Sequence, residues 1–281
     1  MAPAVTRSPA EHDVVDLEID LLLEAIYLRY RHDFRQYARP TLRRRLAQAA
    51  AALRCESVSM LQHQVLRDTA ALSRVLDYLT VQVSSLFRDP AYYSSLRARV
   101  VPVLETYPSL KVWVAGCSAG EEVYSLAILF EEEGLLDRTI FYATDVNTSA
   151  LAAAARGIFA IDRAQEFSRN YQQAGGRRSL SDYYTAAYDR IAFQRRLSAN
   201  VVFSDHSLAT DSVFAEVHLV TCRNVLIYFD AELRDRAVGL FRDSLVRSGF
   251  LALGAKESLR GSAHTKGFRE LDRQNRIYQL E

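Results

Sequence analysis

The stretch that decides the fold runs from Lys111 to Glu133 and reads KVWVAGCSAGEEVYSLAILFEEE. Val112, Trp113, Val114 and Ala115 form a short continuous apolar run, the pattern of a strand buried on both faces. A turn follows with Gly116 and Gly120, residues that tolerate tight bends and close approach to a ligand. Val123, Leu126, Ala127 and Phe130 then recur at helical spacing and give one apolar stripe. Strand, glycine turn and helix in this order predict the ligand-facing corner of a doubly wound sheet. The turn lacks G-x-G-x-x-G, and Glu121 and Glu122 stand where the helix begins. Carboxylates suit the positive end of a helix dipole but repel a pyrophosphate. A ligand with ribose hydroxyls, a positive centre and no phosphate suits this turn better, and S-adenosylmethionine is such a ligand.

The 281 residues are enough for one large or two modest domains. Apolar residues make up 49% and charged residues 25%, which is ordinary for a soluble globular chain. With 35 basic against 34 acidic residues the net charge is +1, so no general affinity for nucleic acid is implied. Cys55, Cys117 and Cys222 are widely spaced and odd in number, which argues against a disulfide framework or a zinc cluster and for a reducing cytoplasm. No run approaches the ~20 apolar residues that span a bilayer, no apolar leader opens the sequence, and the histidines show no metal-ligand spacing.

Residues 1–16 read as a flexible polar tail, and 17–79 as an all-helical domain. Leu17, Leu21 and Ile26 mark its first helix; Leu42, Leu46 and Leu53 mark a second. Val65 and Leu66 lie in a third, and Leu72, Val75, Leu76 and Leu79 in a fourth. The second helix opens with Arg39, Arg43, Arg44 and Arg45, four arginines in seven residues. Such a cluster is ordinarily a solvated face; nucleic-acid binding would call for a more basic domain. Residues 80–90 read as a linker and 93–107 as a helix. A second strand, Ile140 to Thr144, ends in Asp145, which lies 25 residues beyond Gly120. An acid there can bind ribose hydroxyls or cap the helix that follows. Residues 157–204 lose the alternation of strand and helix. The β-rich pieces at Tyr183, Ile191 and Val201 predict a small inserted antiparallel subdomain. Val217 to Cys222 is another buried strand, with Asp230 placed to cap the next helix. Phe250 to Leu253 and Arg276 to Leu280 complete the sheet.

Six segments in order, DFRQYARPTLRRRL, SSLFRDP, VWVAGCSAGEEVYSLA, ATDVN, CRNVLIYFD and LGAKESL, resemble one family, the CheR-type chemotaxis receptor glutamate methyltransferases. The similarity runs from about Tyr30 to the C-terminus. It implies an α/β architecture: an all-helical N-terminal domain, then residues 80–281 as a linker and a doubly wound seven-stranded methyltransferase domain. It also implies methyl transfer from S-adenosylmethionine to glutamate side chains of chemoreceptors, with S-adenosylhomocysteine as product. By motif, the cofactor site implied comprises Gln82, Ser84, Arg88, Gly116, Glu121, Asp145, Ser207, Leu208, Arg223 and Asn224. Arg88 and Tyr228 take the catalytic places, Arg88 fixing the acceptor carboxylate and Tyr228 orienting the nucleophile or the methyl group, and no metal is involved. Gln82, Ser84 and Ser207 depart from the residues usual in the family, Asn, Thr and Asn. They keep hydrogen-bonding capacity but change reach. A cofactor-binding interaction module with little turnover is the alternative reading. Under the methyltransferase reading the arginine cluster becomes a guide for acidic receptor helices in the cytoplasm, and the β-subdomain is the docking place in family members that recognise a receptor tail. Neither nucleic acid nor membrane insertion is expected.

Overall fold

The computed structural model describes residues 13–80 and 84–281; the expected tail up to residue 12, and Gln82, lie outside the described residues. The chain divides into two compact units, Met1–Leu79 and Thr80–Glu281.

Among its described residues the first unit has four helices: α1 (Val14–Tyr30), α2 (Arg39–Ala52), α3 (Val58–Arg67) and α4 (Thr69–Leu79). α1 begins ahead of the expected residue 17 because Asp13 caps it, accepting from the Val15 N–H at 3.2 Å. Ser57 caps α3 in the same way, and Pro40 stands in the first turn of α2. The buried row of α1 is Ile19, Leu22, Leu23 and Ile26, whereas Leu17 and Leu21 are each 50% exposed. Of the three residues expected to mark this helix, Ile26 lies in the buried row and Leu17 and Leu21 do not. The run DLEIDLLLEAIYL offers two apolar rows, and the exposed Leu17 and Leu21 stand next to Asp16 and Asp20, which pair with Arg39.

In the second unit a helical stretch, α5 (Pro90–Ser95) and α6 (Val101–Leu104), is joined through a wide π turn at Leu96–Val100. Pro102 lacks the N–H a regular turn would use there, which is one way such a bulge arises. Ten strands follow, in two sheets. The large sheet contains β1 (Leu110–Ala115), β2 (Thr139–Asp145), β6 (Val201–Asp205), β7 (Val217–Cys222), β8 (Leu245–Leu253), β9 (Phe268–Asp272) and β10 (Ile277–Leu280). Its order is β6-β2-β1-β7-β8-β10-β9, and β10 runs antiparallel to both neighbours while β6, β2, β1, β7 and β8 are parallel. The small sheet is antiparallel, β3 (Ile158–Ala160), β5 (Arg190–Phe193) and β4 (Tyr184–Ala187) in that order. Four helices serve the large sheet and the insertion: α7 (Glu121–Glu132), α8 (Thr148–Arg156), α9 (Ala164–Gln173) and α10 (Ala231–Ser244).

Two expectations need correction. Val201 to Phe203 belong not to the inserted subdomain but to β6, the edge of the large sheet, paired with β2 from Phe141↔Val201 to Asp145↔Asp205. An edge strand with Val202 48% exposed does not show the continuous apolar run of a buried parallel strand. Strand β9, FRELD, went unread for the same reason. The predicted core strand is buried as expected: Val112, Trp113 and Val114 are fully enclosed. Trp113 packs edge-on against His206, Phe214 and Phe241, and its indole N–H donates to Thr144 Oγ1 at 2.8 Å. Burying such side chains contributes about 1.5–3 kcal/mol each, which holds the strand ends, and therefore the site, in place.

Candidate active site

β1 and β2 end side by side. The N–H groups of Gly116 and Cys117 both donate to the Thr144 carbonyl, at 2.8 and 2.9 Å. Gly116 has φ +74° and Gly120 φ +97°, conformations that favour glycine. A Cβ on Gly116 would lie 2.4 Å from Val225 Cγ2, and one on Gly120 would lie 2.9 Å from the Ala154 Cβ. Both glycines thus allow close packing of chain on chain, and Gly116 draws the β1 turn against the loop after β7.

Asp145 was read as a ribose ligand or a helix cap. Asn147 is the cap of α8, accepting from the Ala150 N–H at 3.0 Å. The Asp145 carboxylate instead accepts from Ser118 N–H on Oδ2 and Asn147 N–H on Oδ1, each at 2.9 Å. It is buried, and burial pushes its carboxyl up from the ordinary range against the pull of those N–H groups. Each oxygen keeps a second lone pair for a further donor.

Glu121 is 1% exposed at the start of α7. Its Oε1 pairs with Arg163 at 2.8 Å, while Oε2 is buried with no hydrogen-bond partner among the described residues. Arg163 also donates to the Ser84 carbonyl and lies over the Phe167 ring at 4.6 Å. An arginine of the insertion thus joins the linker to the helix start, a contact with no sequence signal. Glu122 is half-buried with its Oε1 fully enclosed and unpartnered among the described residues. Burial raises its carboxyl, although nearby Arg223 pulls the other way.

Arg223 follows β7 and is 7% exposed. Its guanidinium stacks over Tyr92 at 4.0 Å, pairs with Asp89 at 2.7 Å, and donates to the Arg88 carbonyl at 3.3 Å. The linker turn is held from its other side by the Phe87 N–H, which donates to Ser125 Oγ at 2.8 Å. Phe87 and Asp89 both take positive φ, so the turn is sharply folded. Arg88 is half-buried within it. Asn224 also has positive φ, +63°, and its N–H donates to the buried Glu257 at 2.9 Å. Tyr228, half-buried, ends the short 3₁₀ turn Leu226–Tyr228.

Direct contacts therefore bring Ser84 to Glu121 through Arg163, and Arg88 to Arg223. Ser207 and Leu208 are buried just beyond β6, two and three residues past the partner of Asp145. The Ser207 hydroxyl accepts from the Ala209 N–H at 3.3 Å, within its own loop. Asp89, Tyr92, Arg163 and Glu257 are the site-building residues that sequence reasoning missed, although Asp89 and Glu257 fell in quoted motifs. No group able to hold a metal ion occurs among the described residues.

Residues 82–276 match the profile of the CheR methyltransferase SAM-binding domain, and residues 17–80 match the CheR all-alpha domain. The chain is 53% identical over 263 residues to a Pseudomonas putida protein provisionally named methyltransferase Cher3, covering 94% of this chain and 96% of that one. It is 31% identical over 195 residues to the chemotaxis protein methyltransferase of Listeria monocytogenes, covering 69% and 71%. The Vibrio anguillarum chemotaxis protein methyltransferase is 30% identical over 245 residues, covering 82% and 83%.

The cofactor is S-adenosylmethionine, and the residues fit it. Two enclosed carboxylate oxygens without partners among the described residues, on Glu121 and Glu122, suit a ligand whose ammonium and sulfonium are positive. Asp145, fixed by two N–H groups, keeps acceptor capacity for ribose hydroxyls. The acids that suit this cation would repel a pyrophosphate.

Proposed function

The chain belongs to the CheR methyltransferase family, and on that premise we propose that it methylates glutamate side chains of chemoreceptor helices. The observation that supports this reading is the enclosed carboxylate pair Glu121–Glu122, each with one oxygen that has no hydrogen-bond partner among the described residues. When bound, S-adenosylmethionine supplies an electrophilic methyl group. The acceptor glutamate, with a pKa near 4.3, is already ionised at neutral pH, so no general base is needed. The protein's part is to hold the acceptor oxygen in line. Arg88, with a planar fork, orients the acceptor carboxylate, and Tyr228 orients it from the β7 loop. Arg223 and its stack on Tyr92 keep the linker turn that carries Arg88 in a fixed fold.

In the helical unit, the arginine face of α2 would meet the acidic receptor helix. Arg39 pairs with Asp16 and Asp20, and Arg43 with Asp13 and Asp16. Arg45 donates to the Tyr78 carbonyl, while Arg44 is exposed and has no ion pair among the described residues. Exposed pairs contribute only about 0–1 kcal/mol, so carboxylates of a partner can replace the acids of α1 at little cost. A receptor tail would dock on the small sheet, and the reaction would take place in the cytoplasm. Among the described residues no helix is long and apolar enough to cross a membrane.

The test is incubation of the protein with methyl-labelled cofactor and membranes from its own host. Base-labile label on a chemoreceptor supports the proposal; cofactor binding with no transfer would favour an interaction module.

A further inference from the structure

Glu257 is a buried acid for which methyl transfer has no use. It is 4% exposed and lies in the bend after β8. Its Oε2 accepts the N–H groups of Gly254 at 2.6 Å and Asn224 at 2.9 Å, and its Oε1 accepts the Ile227 N–H at 3.3 Å. One carboxylate thus gathers backbone donors from two loops, the one after β7 and its own. The β7 loop needs such a clamp. Asn224 is left-handed at φ +63°, a conformation that costs a non-glycine residue free energy and persists only where the surroundings hold it. The bend has been shaped to admit the carboxylate. A Cβ on Gly254 would lie 2.7 Å from Glu257 Oε2 and 2.8 Å from the Asn224 nitrogen.

We infer that Glu257 is a positioning residue for the cofactor site, fixing the backbone of the Arg223–Tyr228 loop through the N–H groups of Asn224 and Ile227 and tying it to its own bend through that of Gly254. The chemistry admits little else. All three partners are donors, so both ends of the side chain must accept, which an ionised carboxylate does and a carboxamide does not. Glu257→Gln keeps the volume but turns an NH₂ toward an N–H. Aspartate is too short to span the two loops. The inference rests on the proposed place of Arg223 and Asn224 at the cofactor.

The experiment is calorimetric titration of the full chain with S-adenosylhomocysteine, beside thermal melting. Glu257→Gln should weaken binding on the order of tenfold or more, the usual scale when buried donors lose a charged partner. Gly254→Ala should act in the same direction, because its methyl group wedges the clamp open with the charge intact. Val238→Ala, in the buried face of α10, is the control: it should lower the melting temperature and leave the dissociation constant unchanged. In turnover, the KM for cofactor should rise in the two clamp variants while that for receptor stays. Should Glu257→Gln not fold, Gly254→Ala decides by the same outcomes. Wild-type affinity in the folded clamp variants would make Glu257 a fold residue only and overturn the inference. Asn224→Ala separates the two layers. Weakened binding there with wild-type binding in the clamp variants overturns the clamp alone; wild-type binding in Asn224→Ala overturns the assignment of Asn224 and the clamp with it.

Discussion

Glu122 shows how the site trades stability for affinity. Burial raises its carboxyl more than Arg223 lowers it, so the folded chain holds this proton more tightly than the unfolded chain does. The group's favourable contribution is therefore present below the ordinary carboxylate pKa and is lost as pH rises through the raised value. Glu122→Gln should then melt higher than wild type near neutrality, with the difference shrinking as pH falls toward the carboxylate range. The same variant should bind the cationic cofactor less tightly. Melting curves across that pH range, paired with calorimetry, check both; a variant less stable than wild type at pH 7 would contradict the account. Asp145→Ala should weaken cofactor binding on the order of tenfold or more, through loss of the ribose acceptor. Arg88→Ala should lower turnover by on the order of 10²-fold, with a much smaller change in product affinity, since the carbonyl that Arg223 uses remains. Asp145 was legible as a strand-end acid; the cap of α8 is Asn147, and the place at the ribose is the role proposed for Asp145. Glu257 was not legible, because its donors Ile227 and Asn224 lie 30 and 33 residues earlier and only folding brings them together.

At the scale of elements, the insertion and the arginine helix matter most. Arg163 precedes α9 and is the described ion-pair partner of the nearly inaccessible Glu121. Arg163→Ala leaves that carboxylate uncompensated and should cost roughly 1–3 kcal/mol, below the 3–5 of a fully buried pair because the arginine is partly exposed. Denaturant melts would measure this, and an unchanged midpoint would mean that water replaces the pair. On α2, charge reversal at Arg43 and Arg44 should raise the KM for receptor while leaving cofactor affinity alone. Receptor methylation by the wild type should also fall steeply with salt, as exposed charges are screened beyond about 10 Å at 0.1 M. Equal methylation by wild type and the double reversal at low salt would return this face to simple solvation. The sequence showed the arginines but not their partners. The acids that pair with them are the cap of α1, Asp13, and Asp16 and Asp20 within it, and of the residues expected to mark α1, Leu17 and Leu21 are exposed while Ile26 is buried. Strand β6 was read as β-rich but assigned to the insertion, and β9 went unread; both lie at sheet edges, without the long apolar run of a strand buried on both faces.

For the molecule as a whole, the corner formed by β1, its glycine turn and α7 fixed the doubly wound class, and ATDVN, CRNVLIYFD and LGAKESL fell at the ends of β2, β7 and β8, where such sheets bind ligands. What no local pattern could show is how the insertion reaches back through Arg163 to the linker and the start of α7. The central claim is transfer of a methyl group to a receptor glutamate. Its most direct measurement is peptide-level mass spectrometry of the chemoreceptors in host membranes, after incubation with the protein and isotope-labelled S-adenosylmethionine. The account predicts labelled methyl esters on glutamate side chains, removed by mild base and absent with Arg88→Ala. Label confined to base-stable positions, to small molecules or to nucleic acid, with receptor glutamates unmodified, would contradict it.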